Sequence, residues 1–411
     1  MVLHTRYSQI GRNTSRDSIF NGEDPKRNAL VNKVVDPTVS FAEDSARTVV
    51  SKVVDPAVTF VEDCARTVIQ EVMNPTVTFV EDSARSVIQE LMNPTEEFIA
   101  TQLQRPQDVI EQQGILDNLL ASNGARFPGD DYHTPDLKNW MAHLSVETLA
   151  LNKIVWPGTH HSATNGLPWP TRPLVECQTL SIYEQLVLGT RVFDIHVQKD
   201  RRVCHGDHRP SYNVDVVLND IIRFVSETQS EIIILEIRTE FGENDPPEFD
   251  TYLVDKLGPW LIHQDDNLFN KPVSEILPKK VICIWKPRES PKPVRGGALW
   301  NSDYLKDNWT NTDLPWTKFQ SNMNHLKEQQ PISSRRFFYR VENTLTPQPD
   351  SPILLIKPVN GRIREYARLF ISRCIAEGCI DKLQIFSRDF INEDFVDACI
   401  GLTYARINGR V

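Results

Sequence analysis

The stretch EIIILEIRTEF, residues 231–241, places five aliphatic side chains in its first seven positions, interrupts them with Glu236 and follows with Arg238. Apolar residues at both odd and even positions are the signature of a strand covered on both faces, which is how parallel sheets are buried. Runs of the same kind recur at KIVWPGTH (153–160), TRVFDIHV (190–197), KKVICIWKP (279–287), RRFFYRVEN (335–343), PILLIKPV (352–359) and LQIFSRDF (383–390). Helical patterns such as SIYEQLVLG and VDVVLNDIIRFVSETQ separate the early runs. Strand and helix in alternation predict an α/β protein closed into a (β/α) barrel rather than a sandwich.

In such barrels chemistry gathers where the strands end, at the C-terminal rim. Polar residues stand at those ends here. His160 and His161 close the first run, Asp194 and His196 fall late in the second, and Glu236 and Arg238 fall late in the third. Lys286 follows the fourth, and Asp389 lies near the end of the last. The two-residue period of a strand puts Asp194 and His196 on one face, and likewise Glu236 and Arg238. Between the second and third runs, VCHGDH presents His205 just after a short turn. Two rim histidines with carboxylates and an arginine around the same mouth make an acid/base pair about an anionic centre, because an imidazole titrates near neutrality and serves either role. His133, His143, His208 and His263 lack such a setting and are read as structural.

The first hundred residues are of another kind. VVDPTVSFAEDSARTVVSK (34–52), VVDPAVTFVEDCARTVIQE (53–71) and VMNPTVTFVEDSARSVIQE (72–90) repeat with Pro37, Pro56, Pro75 and Pro94 spaced 19 residues apart. Each unit has apolar positions at helical spacing, and Asp or Asn before the proline suits an N-cap. Residues 34–100 are therefore expected to form amphipathic helices, preceded by an unstructured tail (1–33) and followed by a helical, turn-rich linker (101–139) and the barrel (140–411). The repeats read as a self-association or interfacial segment, or as a plain helical spacer.

The chain has 411 residues, with 45 Lys and Arg against 55 Asp and Glu. A net charge of −10 argues against a partner recognised by phosphate neutralisation, so no nucleic acid is expected. Seven scattered cysteines without a C-x-x-C suggest neither disulfides nor a cysteine zinc site. With no leader and no long apolar run, the sequence reads as a cytoplasmic protein that touches a membrane from one side at most. GLPWPTRP (166–173), with Trp169 beside Arg172, suits either a bilayer headgroup level or a packed lid.

P-G-T-H-x-S on the first run, L-x-x-G-x-R-x-x-D on the second, C-H-G after it and S-E-I-I-I-L-E-I-R on the third resemble the X domain of phosphatidylinositol-specific phospholipase C and the related phospholipase-C-like phosphodiesterases, over about residues 140–405. The resemblance implies a distorted TIM (β/α)8-type barrel. It implies attack of an inositol 2-hydroxyl on the phosphodiester, giving a cyclic phosphate and diacylglycerol, at a membrane surface. His160 matches the general base, His205 the general acid, Asp389 the group that orients His160, and Arg238 a charged residue facing the inositol or a metal. Lys286, Asp307 and Trp309 match substrate contacts, and His161, Asp194, His196 and Glu236 line the same pocket. Two positions depart from the pattern. His161 stands where bacterial enzymes have Asp and calcium-dependent ones Asn, and His196 stands where bacterial enzymes have Arg. Phosphorane charge would then fall to Arg238, Lys286 or a protonated His196, the last requiring a strongly acidic optimum; calcium on Asp194 and Glu236 is the alternative to no cofactor. A binding module with lost chemistry, and a scaffold built on the repeats, are the competing readings.

Overall fold

The computed structural model describes residues 96–411 apart from 169, 170, 207, 211, 349, 350 and 352, with side chains from residue 104 onward. Residues 34–95 of the repeats, and Trp169, lie outside the described residues. The described residues fall within one compact unit, Val87–Val411.

Its strands are β1 (Trp156–Thr159), β2 (Val192–Val197), β3 (Ile233–Thr239), β4 (Val281–Lys286), β5 (Leu305–Asp307), β6 (Phe338–Glu342) and β7 (Ile385–Arg388). They pair in parallel in the order β4-β3-β2-β1-β7-β6-β5. The α/β barrel expected from the alternating runs is what forms, with seven strands in the sheet. Its seam lies between β4 and β5, where a single bridge joins Ile284 to Trp300 and Lys286 Nζ donates to the Leu305 carbonyl at 2.9 Å.

Burial explains why the runs are apolar throughout. Phe193, Ile195 and Val197 of β2 and Ile233, Leu235 and Ile237 of β3 join one core cluster with Val217, Leu218 and Ile221 of the helix Val214–Glu227. That helix spaces its apolar side chains by three and four and starts on Asn213, whose side chain accepts the Asp215 N–H at 3.0 Å. Each such buried side chain contributes roughly 1.5–3 kcal/mol. Val192, Ile234, Ile282 and Ile385 belong to the second cluster, in the barrel's interior. Farther along β2 and β3 the alternate positions turn polar, and the register sets Asp194 opposite Glu236 and His196 opposite Arg238. Gly158 lets β1 and β7 close up, because a Cβ there would run into Ser387 Oγ and Val192.

Two segments differ from the reading above. PILLIKPV is no strand: a helix runs Ile356–Arg364, its buried Ile356, Val359 and Ile363 following a helical spacing, and Pro358 is tolerated in a first turn whose N–H groups have no intrahelical partner. The barrel strand missed instead is the three-residue β5. The segment read as a linker is built into the barrel unit. The helix Glu96–Asn123 buries Leu116 completely, pairs Arg105 with Asp313 and takes a hydrogen bond from the Tyr366 hydroxyl on Asp117 at 2.6 Å.

Candidate active site

Register brings the first pair together. Thr159 of β1 lies opposite Arg388 of β7, so the next residue on each strand, His160 and Asp389, leave the sheet side by side. His160 Nδ1 meets Asp389 Oδ1 at 2.8 Å. Gln178 ties the corner by donating to the carbonyls of His160 (3.2 Å) and Arg388 (2.9 Å) while accepting the Ile391 N–H. Burial disfavours a charged His160, but the Asp389 carboxylate outweighs it and the imidazole's pKa is raised.

His205 arrives from a hairpin that doubles back along β2, with Val197 bridged to Val203 and the Cys204 N–H donating to the His196 carbonyl at 3.0 Å. Its Nδ1 lies 2.7 Å from the Val175 carbonyl, and Cys177 Sγ lies 3.8 Å away. With Nδ1 donating to Val175, Nε2 is the nitrogen left for chemistry. The ring stands 6.5 Å from that of His160, centroid to centroid. Burial pulls the His205 pKa down to about 4; the Val175 carbonyl opposes this, and the charges on His160 and His196 add to it.

His161 stands between the two. Its ring stacks on His205 at 3.7 Å and lies 4.4 Å from His160 and 4.1 Å from His196. Burial and then the three neighbouring histidines keep it neutral, its pKa well below the usual value. His196 is the opposite case. Burial is overcome by Asp194, 3.3 Å from Nε2, and by Glu240, 3.0 Å from Nδ1, so its pKa rises to about 9. The two carboxylates thus favour an imidazolium at 196.

Deeper in the barrel, Glu236 accepts ion pairs from Arg238, from Lys286 at 2.7 Å and from Arg340 at 2.7 Å. Arg340 also reaches Asp307 at 3.0 Å and Glu342 at 2.5 Å. Arg238 stays partly open to the mouth, 3.8 Å from Asp194 and 3.9 Å from Asp307. The Lys286 ammonium is spent on Glu236 and the Leu305 carbonyl across the seam. Trp309, 43% exposed, stacks on His160 at 5.1 Å with the buried Lys318 ammonium 4.3 Å from its ring centroid. The residues expected to act on or contact substrate (His160, His161, Asp194, His196, His205, Glu236, Arg238, Lys286, Asp307, Trp309 and Asp389) thus lie in one connected cluster around the mouth. Arg340, Glu240, Gln178 and Cys177 were not among them.

Calcium calls for six or more oxygen ligands. The pair Asp194 and Glu236 does not fit it, since Glu236 is spanned by three cations and Asp194 is flanked by imidazoles.

A parallel barrel of this kind is a fold also found among solved structures. Over 65% of this chain the fold matches phosphatidylinositol-specific phospholipase C from Listeria monocytogenes, with TM-score 0.54, 19% identity and 98% of that chain covered. The enzyme of the same name from Staphylococcus aureus matches with TM-score 0.51 at 17% identity, covering 97% of that chain. Among curated proteins, the chain is 34% identical over 111 residues to a 1-phosphatidylinositol phosphodiesterase of L. monocytogenes, covering 26% of this chain and 35% of that one. It is 24% identical over 243 residues to a PI-PLC X-box domain-containing protein of Dictyostelium discoideum, covering 51% and 33%. The chain thus spans about a third of the length of these two relatives. No protein-family model matches it. The resemblance read from the strand motifs is borne out.

Proposed function

We propose that the chain is a phosphodiesterase that cleaves a phosphatidylinositol-class lipid at a membrane surface. His160 in its neutral form takes the proton of the inositol 2-hydroxyl on Nε2 as that oxygen attacks phosphorus, and His205, which must first gain a proton on Nε2 against the burial that lowers its pKa, gives that proton to the departing glycerol oxygen. The products are a cyclic inositol phosphate and diacylglycerol, and water then opens the ring with the two imidazoles in exchanged roles. One observation carries the reading: two imidazoles 6.5 Å apart, each with Nδ1 engaged from behind, by Asp389 and by the Val175 carbonyl. The His161 ring stands between the two imidazoles, so a phosphoryl group would be met by both from the mouth side rather than on the line that joins their rings. Arg238 supplies a permanent charge beside the phosphorane. The relatives' names, a phosphatidylinositol phosphodiesterase and phosphatidylinositol-specific phospholipases C, point to the same substrate class.

A second reading has an observation of its own. The His161 ring fills space between the two histidines, and among the described residues His205 is backed by a carbonyl rather than a carboxylate. A module that binds the headgroup without turning it over would look like this. The test is phosphorus NMR of phosphatidylinositol vesicles incubated with the protein. Appearance of a five-membered cyclic phosphate supports the enzyme, and vesicle binding with no new resonance supports the module.

A further inference from the structure

His161 does more than crowd the mouth. Its backbone is held at φ 41, a region that costs a residue with a side chain on the order of 1–3 kcal/mol. It is 8% exposed, and its Nδ1 is buried with no hydrogen-bond partner. Beside it, Asp194 is 2% exposed; Oδ2 accepts the His161 backbone N–H at 3.2 Å, while the buried Oδ1 is left to ion pairs with His196 and, at 3.8 Å, Arg238. His196 turns Nε2 to that same oxygen at 3.3 Å, because Nδ1 is engaged by Glu240. Glu240 is fixed in turn by the backbone N–H groups of Gly206 at 2.8 Å and Phe241 at 2.7 Å. One donor atom from each of His161, Asp194 and His196 lies within 4.8 Å of the other two.

A buried imidazole with an unpartnered nitrogen, a buried carboxylate and a half-buried imidazole turned to it are the ligand set of a zinc-class dication, and a carboxylate behind one of the histidines is the usual outer partner. Ligand atoms roughly 2.1 Å from a tetrahedral ion stand about 3.4 Å apart. The edge between Asp194 Oδ1 and His196 Nε2 has this length already, and His161 has only to draw in. We propose that His161, Asp194 and His196 bind one transition-metal dication of the zinc class, with Glu240 orienting His196 and a fourth position open toward the mouth. Imidazole ligands favour zinc and cobalt(II) over calcium and magnesium. The site requires neither lipid nor turnover, so it stands or falls apart from the function proposed above.

The full chain, stripped with EDTA, is titrated with cobalt(II) and with zinc by calorimetry and by visible absorption. One ion is expected per chain at micromolar protein, with the intense visible bands of four-coordinate cobalt, and calcium is expected to give no heat. His161→Ala and His196→Ala should each weaken cobalt binding at least tenfold. Glu240→Gln, which keeps both imidazoles, should weaken it between about tenfold and a hundredfold with the circular dichroism unchanged. His133→Ala, at the surface pair with Asp397, should leave it intact. A chain that takes up no cobalt, or whose uptake survives the His161, His196 and Glu240 changes, overturns the proposal.

Discussion

Asp389 decides which nitrogen of His160 faces the mouth. A carboxylate 2.8 Å from Nδ1 fixes the tautomer with the proton on that nitrogen and leaves Nε2 as the acceptor. Asp389→Asn is expected to lower kcat by about a hundredfold or more, with KM little changed, in steady-state hydrolysis of phosphatidylinositol. Arg340 poses a different question, because it holds Glu236, Asp307 and Glu342 together inside the barrel. Removing it in Arg340→Ala leaves buried carboxylates unpaired, and urea unfolding should show a loss of about 3–5 kcal/mol, with Arg340→Lys losing less. Much of this cluster was written in the sequence. The i, i+2 polar pairs in FDIH and LEIR set Asp194 with His196, and Glu236 with Arg238, on one face of their strands. FYRVE carries the same spacing for Arg340 and Glu342, masked by the apolar residues on either side of it. Glu240 and Cys177 lie in loops, where no periodicity tells which way a side chain turns.

Elements show where apolar content misleads. PILLIKPV has as many aliphatic residues as a strand, but Ile353 and Leu354 are exposed and the buried set follows a helical spacing. β5, with Lys306 exposed and Asp307 charged, owes its place to pairing with β6 rather than to its own residues. Loops too are built, and Asp245 is the clearest case. After β3 it accepts the N–H groups of Arg288 (2.9 Å), Glu289 (2.8 Å) and Ser290 (2.6 Å) from the loop after β4, and the Thr239 hydroxyl. Burial pushes its pKa up, yet these donors hold it down to about 2, below the ordinary 3.8. A carboxyl with a depressed folded pKa stabilises the fold above the unfolded value, and the contribution drains away as pH falls from about 4 toward 2. Asp245→Asn should therefore cost about 2 kcal/mol at pH 7 in urea unfolding. Its stability should also vary less with pH across that window than the native chain's does.

For the molecule as a whole, the barrel's handedness of function lies in its rim. Leu174, Phe241, Val294, Trp309, Ile353 and Leu354 are large apolar side chains exposed to solvent, and each lies beyond the C-terminal end of a strand, on the side of the mouth. No helix of the described residues is long and apolar enough to cross a membrane; exposed apolar side chains gathered on one side suit a contact surface. Val294→Glu with Leu354→Glu is expected to reduce partition onto phosphatidylinositol vesicles at least tenfold in a sedimentation assay, while cleavage of a soluble monomeric inositol phosphodiester is unaffected. The rim matters only if the mouth behind it divides a proton transfer between two imidazoles, and a change of leaving group tests that division. Rates are compared for the native chain, His160→Ala and His205→Ala on phosphatidylinositol and on its p-nitrophenyl analogue, whose leaving oxygen needs no proton. Both variants should be nearly inactive on the lipid, with His205→Ala recovering most of its rate on the p-nitrophenyl ester and His160→Ala recovering none. Near-native turnover of the lipid by either variant, or equal losses by His205→Ala on both substrates, would contradict the account.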